Sequence, residues 1–423
     1  MTDISGAWAS PHAMANLAKR RRSEFLLRAA GFGAISIAFL MLFILVSSLV
    51  STGWQAFTQT HVAVEFNVDA ERVKPDKIEG GNFRVIVKEA MVAAVPDVAG
   101  LKPKDLADIV SDAAQFRLRD AVVADPGLIG QSVTMVVPVS DPYDQLNKGL
   151  IDRATPEENR RLSDAQIAAF DVLVADGRVS KPFNWAIFIN ADSRFPELAG
   201  LKGALVGSFY ALLTCFVLAF PIGIGAAIYL EEFAPKNKTS DFIEININNL
   251  AAVPSVVFGL LALAVFLGWF GMPRSAPFVG GLTLALMTLP TIIIATRGAL
   301  KAVPPSIREA ALGVGASKQQ VVFHHVLPLA MPGVMTGAII GLARALGEAA
   351  PLLLIGMNAF ITEAASTPFD AATSLPTQIL IWADSTERGF VSRTSAAVLV
   401  LLGFLLLMNA IAIFLRSKYE RRW

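Results

Sequence analysis

The chain of 423 residues is 54% apolar and only 17% charged, against about 45–50% and about 25% in ordinary soluble domains, which argues against a purely soluble enzyme. Its 36 basic and 35 acidic residues nearly cancel, so no global charge points to nucleic acid or an acidic polymer. The single cysteine, Cys215, excludes an internal disulfide and any zinc site built from several cysteines.

About 20 apolar helical residues are needed to cross about 30 Å of hydrocarbon, and six stretches meet that length or approach it. A basic N-terminus (1–29) with Lys19, Arg20, Arg21 and Arg22 leads into the first, residues 31–50, within a membrane segment at 30–53. It reads as a retained anchor, because the apolar run is too long for a leader and no small-x-small cleavage site follows it. Residues 54–201 have soluble composition. Alternation predicts strands over 61–68, 131–139 and 184–190, and amphipathic patterns predict helices over 106–116 and 164–174, a small α+β domain. Its acids and bases are scattered along the sequence, and no nucleophile, base and acid set is visible, so an accessory or docking role is expected.

The remaining spans are predicted at 204–230, 250–270, 278–295, 329–357 and 395–415, making residues 202–416 a membrane domain and 417–423 a tail. Lys and Arg gather in the N-terminus, after the second and fourth spans, and in the tail with Arg416, Lys418, Arg421 and Arg422. The positive-inside rule then places both termini in the cytoplasm and residues 54–201 outside, or in the periplasm.

The loop over 301–328 carries the most specific pattern. Arg308-Glu309-Ala310-Ala311 is followed by Gly315 and then by Leu327-Pro328. A helix is predicted after Pro304-Pro305, with Ser306 as N-cap, Glu309 completing a capping box, Gly315 turning the chain, and a second arm from Lys318 to Leu327. Glu309, Ala310, Ala311, Gly315, Leu327 and Pro328 resemble the conserved cytoplasmic loop of the membrane permeases of binding-protein-dependent ABC importers. That resemblance implies a six-helix, all-α permease of the MetI-like fold whose loop docks on a separate ATPase. The chain has no G-x-x-x-x-G-K-[ST] phosphate cradle of its own.

Tyr229-Leu230-Glu231-Glu232-Phe233, Val253-Pro254-Ser255, Thr288-Leu289-Pro290, Leu375-Pro376-Thr377-Gln378 and, above all, Ala343-Arg344-Ala345-Leu346-Gly347-Glu348-Ala349-Ala350-Pro351 narrow the resemblance to phosphate-importer permeases of the PstA type. It implies a non-enzymatic inner-membrane subunit without cofactor, set in membrane lipid. Its partners would be a second homologous permease, two copies of a cytoplasmic ABC ATPase and an external phosphate-binding protein, with no nucleic acid. Importers of molybdate or sulfate share this architecture, while a secondary transporter or a membrane-anchored sensor fits it less well.

Arg344 lies 16 residues beyond Pro328, or about 24 Å along a helix. A charge at that depth needs a partner or a water-filled path. Glu348 follows at i+4 on the same predicted helix face. The guanidinium offers planar paired donors to a tetrahedral oxyanion, and a carboxylate accepts a hydrogen bond only from an oxyanion that retains a proton, as phosphate does. The alternative is a structural ion pair. Related permeases often carry a basic residue where this chain has Ile294. Arg297, one turn later, either substitutes for it on the substrate path or is a boundary cation.

Overall fold

The computed structural model describes residues 11–95 and 101–419. The tail cations Arg421 and Arg422 lie outside the described residues. Residues 1–52 form one compact unit and residues 53–423 another. The first unit carries α1 (Pro11–Gly53), one continuous helix whose apolar side chains over 32–45 are exposed.

The second unit opens with a small α+β region. Strand β1 (His61–Asn67) is followed by helices α2 (Phe83–Ala94), α3 (Pro103–Ala107) and α4 (Ala113–Ala124). Strand β2 (Ser132–Pro138), helices α5 (Asp141–Asn147) and α6 (Asp164–Ala175), strand β3 (Val179–Ser180) and helix α7 (Ala186–Ile189) complete it. The strands pair antiparallel in the order β2-β1-β3, with His61 opposite Pro138 and Asn67 opposite Ser132. Alternation in β1 buries Val62, Val64 and Phe66 against Ile86, Met91, Leu118 and Phe170 from the helices.

Two local expectations fail here. Residues 184–190 form no strand: Phe188 and Ile189 N–H groups bond the Trp185 carbonyl, closing a helical turn. Pairing with the segment before β1 runs on only to Asn184: the Pro182 carbonyl accepts the Gln59 N–H, Phe183 bridges Thr58, and the Asn184 N–H donates to the Phe57 carbonyl before the chain coils. The helix expected over 106–116 is broken, because the chain leaves α3 to bridge Val110 with Val139 and to pass the Ser111 N–H to the Pro138 carbonyl. Ser111 then accepts the Ala113 N–H on its side chain as α4 begins.

The membrane part contains α8 (Lys202–Ile228), continued by a π-helical turn (Tyr229–Phe233), α9 (Lys238–Ala251), α10 (Ser255–Ala262) with a π-helical end (Leu263–Trp269), and α11 (Pro277–Lys301). Then come α12 (Pro305–Gly313), α13 (Lys318–Gln320) running through π-helical Val321–Val326 into α14 (Leu327–Gly347), α15 (Ala350–Leu354), α16 (Leu375–Ala383) and α17 (Gly389–Tyr419). Among the described residues five helices are long and apolar enough to cross a membrane, and a sixth span results if α9 and the Ser255–Trp269 segment count as one. These two meet at 99°, so the third span does not run straight from residue 250. The segment beyond the bend is about 22 Å long at 1.5 Å per residue. Pro254, which cannot continue the α9 ladder, marks the corner. Pro290 sits inside an unbroken α11.

Helix α11 packs centrally against α8 and α14, and glycine sets both distances. Gly333, Gly337 and Gly341 form one stripe of α14 facing Ala299, Ala295 and Ile292 of α11 in antiparallel order; a Cβ at Gly333 would fall 2.6 Å from that of Ala299. Gly223 of α8 meets Ile292 equally closely.

Candidate translocation and coupling sites

The fifth span ends sooner than its hydropathy indicates. Helix α14 stops at Gly347, and Glu348 takes an extended conformation (φ −82°, ψ 115°) before α15 restarts with Pro351 in its first turn. Glu348 is therefore off the helix, not on its face. It still meets Arg344, with Nε 3.7 Å from Oε1, and the two side chains are 46% and 21% exposed. A Cβ added at Gly347 meets nothing within 4 Å. The result is a loosely held cation and anion next to open space at Gly347, while Gly259 of α10 abuts Pro351 and Leu354 of α15.

Arg297 is not brought to this pair. The facing of Gly337 with Ala295 and of Gly333 with Ala299 puts Arg297 level with residue 335, nine residues short of Arg344, or about 14 Å along the helix. Its Nη2 donates to Glu244 Oε2 at 2.9 Å and its Nε to Glu231 Oε2 at 3.3 Å. These two carboxylates hold the guanidinium in place.

In the loop after α11, α12 begins two residues earlier than expected, with Pro305 at its first position and Pro304 before it, and no side chain caps it. Pro pre-sets the helical φ at this place and has no N–H to satisfy, so Ser306 lies inside the helix and the expected box with Glu309 is not made. Gly315 does turn the chain, at φ +90°. The capping box belongs to the second arm: Ser317 Oγ accepts the Gln320 N–H, and Gln320 Oε1 accepts that of Ser317. Ala311 is buried, while Glu309, Ala310, Leu312 and Val314 are exposed, Val314 to 86%. Glu309 has no partner among the described residues. The loop thus presents one acid and a small apolar tip on a firmly anchored base.

A third assembly gathers charges that look scattered in sequence. Arg393, 4% exposed near the start of α17, donates through Nη1 to the Ala199 carbonyl at 2.7 Å and through Nη2 to Gln59 Oε1 at 3.1 Å. Asp141, Asp144, Lys148 and Glu197 surround the same small cavity. Asp144 accepts the Thr60 N–H at 2.8 Å and the Lys148 ammonium at 2.5 Å. Glu197 accepts the Ser111 hydroxyl at 2.6 Å. Burial pushes the Glu197 and Asp141 carboxyls above their usual range and draws Lys148 below its own, against the opposing pull of Asp144. On the rim, Arg161 reaches Glu387 at 2.7 Å. The α+β region is thereby fastened to the head of α17 by buried, hydrogen-bonded charge. Sequence inspection misses this because the contributing positions span 59 to 393; the one local sign is an arginine just before the apolar run of the last span.

Residues 219–423 match the family model described as a binding-protein-dependent transport system inner membrane component. Residues 14–157 match a domain of unknown function (DUF3333). The probable ABC transporter permease protein YqgI of Bacillus subtilis (strain 168) is 36% identical over 155 residues, covering 36% of this chain and 52% of that protein. The phosphate transport system permease protein PstA of Yersinia pestis is 32% identical over 223 residues, covering 52% of this chain and 74% of that protein. A structure of the MetNI methionine ABC transporter in an inward facing conformation aligns with 52% of this chain and 95% of its own at 19% identity, with a TM-score of 0.40.

Proposed function

We propose a specific task for this chain, which belongs to the binding-protein-dependent ABC transporter permeases: it passes inorganic phosphate inward across the cytoplasmic membrane. The chain is a multi-pass, non-enzymatic subunit. In this reading it works with a second homologous permease, two ATPase subunits and an external phosphate-binding protein, with both termini in the cytoplasm and residues 54–201 outside.

The observation that carries the reading is the Arg344 and Glu348 pair beside bare Gly347. At 3.7 Å the two are in contact but not tightly bonded, so donors of the guanidinium and lone pairs of the carboxylate remain for a third group. Monohydrogen phosphate supplies acceptor oxygens to the first and a proton to the second; sulfate at neutral pH supplies only acceptors. The partner permease closes the open side, and the chain's similarity to a named phosphate transport permease supports the choice of anion. Glu309, Ala310, Ala311 and Gly315 form the surface offered to the ATPase.

The test is uptake of radiolabelled phosphate into proteoliposomes holding the full complex, with ATP inside and competing anions outside. Excess sulfate or molybdate should leave uptake nearly unchanged and arsenate should compete. Preferential uptake of sulfate or molybdate would reassign the substrate.

A further inference from the structure

Three consecutive side chains of the turn Tyr229–Phe233 each hold a cation from a different element. Glu231 holds Arg297 of α11 at 3.3 Å. Glu232 Oε1 accepts from Arg308 of α12 at 2.7 Å. The Phe233 ring lies 5.4 Å from the Lys318 ammonium of the second loop arm. Successive residues of a helix point about 100° apart, so one turn can grip partners on different sides. The turn is π-helical, closed by the Ala234 N–H on the Tyr229 carbonyl, a geometry frequent at functional sites.

The partners of these cations form a continuous chain. Arg308 also donates to the Leu300 and Val303 carbonyls at 2.9 and 2.7 Å, closing the C-terminal end of α11. Beyond Glu231, Arg297 reaches Glu244 on α9 at 2.9 Å, and α9 leads directly into the 99° corner. Buried Ile228, Leu300, Val303, Ala311 and Val322 pack beneath the ion pairs. A displacement of α12 therefore cannot leave the ends of α8 and α11 behind.

Resting on the permease reading above, we propose that Tyr229–Phe233 is the receiver of ATPase-driven movement. Glu232 and Arg308 take up the displacement of α12, and Glu231, Arg297 and Glu244 pass it to α9 and the bent third segment. These are positioning residues; none is assigned to the substrate.

The experiment uses the complete complex in a Cys215→Ala background, with spin labels at Asn248→Cys on α9 and Glu363→Cys on the outer loop. Addition of a non-hydrolysable ATP analogue should change the label distance with the natural Glu232. Glu232→Gln should still co-purify with the ATPase and hydrolyse ATP, lose that distance change, and move about tenfold less phosphate per ATP, the scale of an ordinary coupling energy. The double reversal Glu232→Arg with Arg308→Glu should restore both readouts. A full distance change in Glu232→Gln overturns the proposal, as does a double reversal that assembles without recovering it. A natural complex that shows the distance change but moves no phosphate overturns the substrate assignment and leaves the receiver supported.

Discussion

Arg344 and Glu348 approach to 3.7 Å across the place where their helix ends. A pair designed only to glue helices would be shorter and enclosed, since an exposed ion pair contributes about 0–1 kcal/mol. Arg344→Lys keeps the charge but removes the planar fork. The complex should assemble normally and lose most phosphate uptake. Glu348→Gln should assemble and discriminate less well against sulfate, with arsenate affected less because it carries the same proton as phosphate. Wild-type transport by Arg344→Lys would make the pair structural.

Energy coupling should fail separately from insertion. Gly315 holds φ +90° with open space around it, so Gly315→Val meets no clash but carries a left-handed backbone cost that is about 1–2 kcal/mol for an ordinary side chain and larger for a β-branched one. That change should re-aim the exposed tip and reduce ATP-driven uptake severalfold at unchanged membrane abundance. Glu309→Lys, on a side chain without a partner among the described residues, should weaken co-purification of the ATPase. Both are read in one pull-down and transport assay, and unaltered results in each would remove the loop from coupling.

Close packing of α14 on α11 gives a contrast within one helix. Gly337→Leu drives a side chain into Ala295, where overpacking typically costs about 1–3 kcal/mol. Its melting midpoint in detergent should fall by several degrees. Gly347→Ala enters empty space and should leave the midpoint unchanged while lowering uptake, if the bare surface there serves the solute.

His61 sets a pH dependence in the α+β region. Burial holds its imidazole below the ordinary value near 6.5, against the opposing bond from Nδ1 to the Gln59 carbonyl at 3.0 Å. Below 6.5 the unfolded chain binds the proton more readily than the folded one, so this contribution is present above 6.5 and lost as pH falls through the depressed folded value. Asp141 and Glu197, shifted upward, act in the opposite sense: their contribution is present at low pH and lost as pH rises through their raised values. Comparing melting midpoints of the natural chain and His61→Asn from pH 7.5 to 5.5 isolates the histidine. The natural chain should lose more on acidification than the variant.

The spans and the loop were legible in sequence because hydropathy and the Glu309 to Pro328 spacing are local properties. The same holds for β1, β2 and α6, whose side-chain periods are written within each element. What escaped depends on distant pairing. The corner before Ser255 lies inside an apolar run, Glu348 leaves its helix although its i+4 spacing fits one, and Arg297 is claimed by Glu231 and Glu244 from two other helices. Residues 184–190 alternate like a strand, but pairing with the segment before β1 stops at Asn184 and the chain closes a helical turn on Trp185.

The cluster around Arg393 also fixes an order of events in biosynthesis. Gln59, Asp144, Glu197 and Ala199 are all translated nearly 200 residues or more before Arg393, so until the last helix emerges the cluster holds Lys148 and Arg161 but not the arginine at its centre. Until then the buried Ala199 carbonyl and Gln59 side chain lack the donor that Arg393 supplies, an unpaired condition that typically costs about 1–3 kcal/mol for a buried polar group and that every nascent chain passes through. The final helix therefore acts as the closing piece of the α+β region, supplying from the last stretch of the chain the donor that completes its buried cluster.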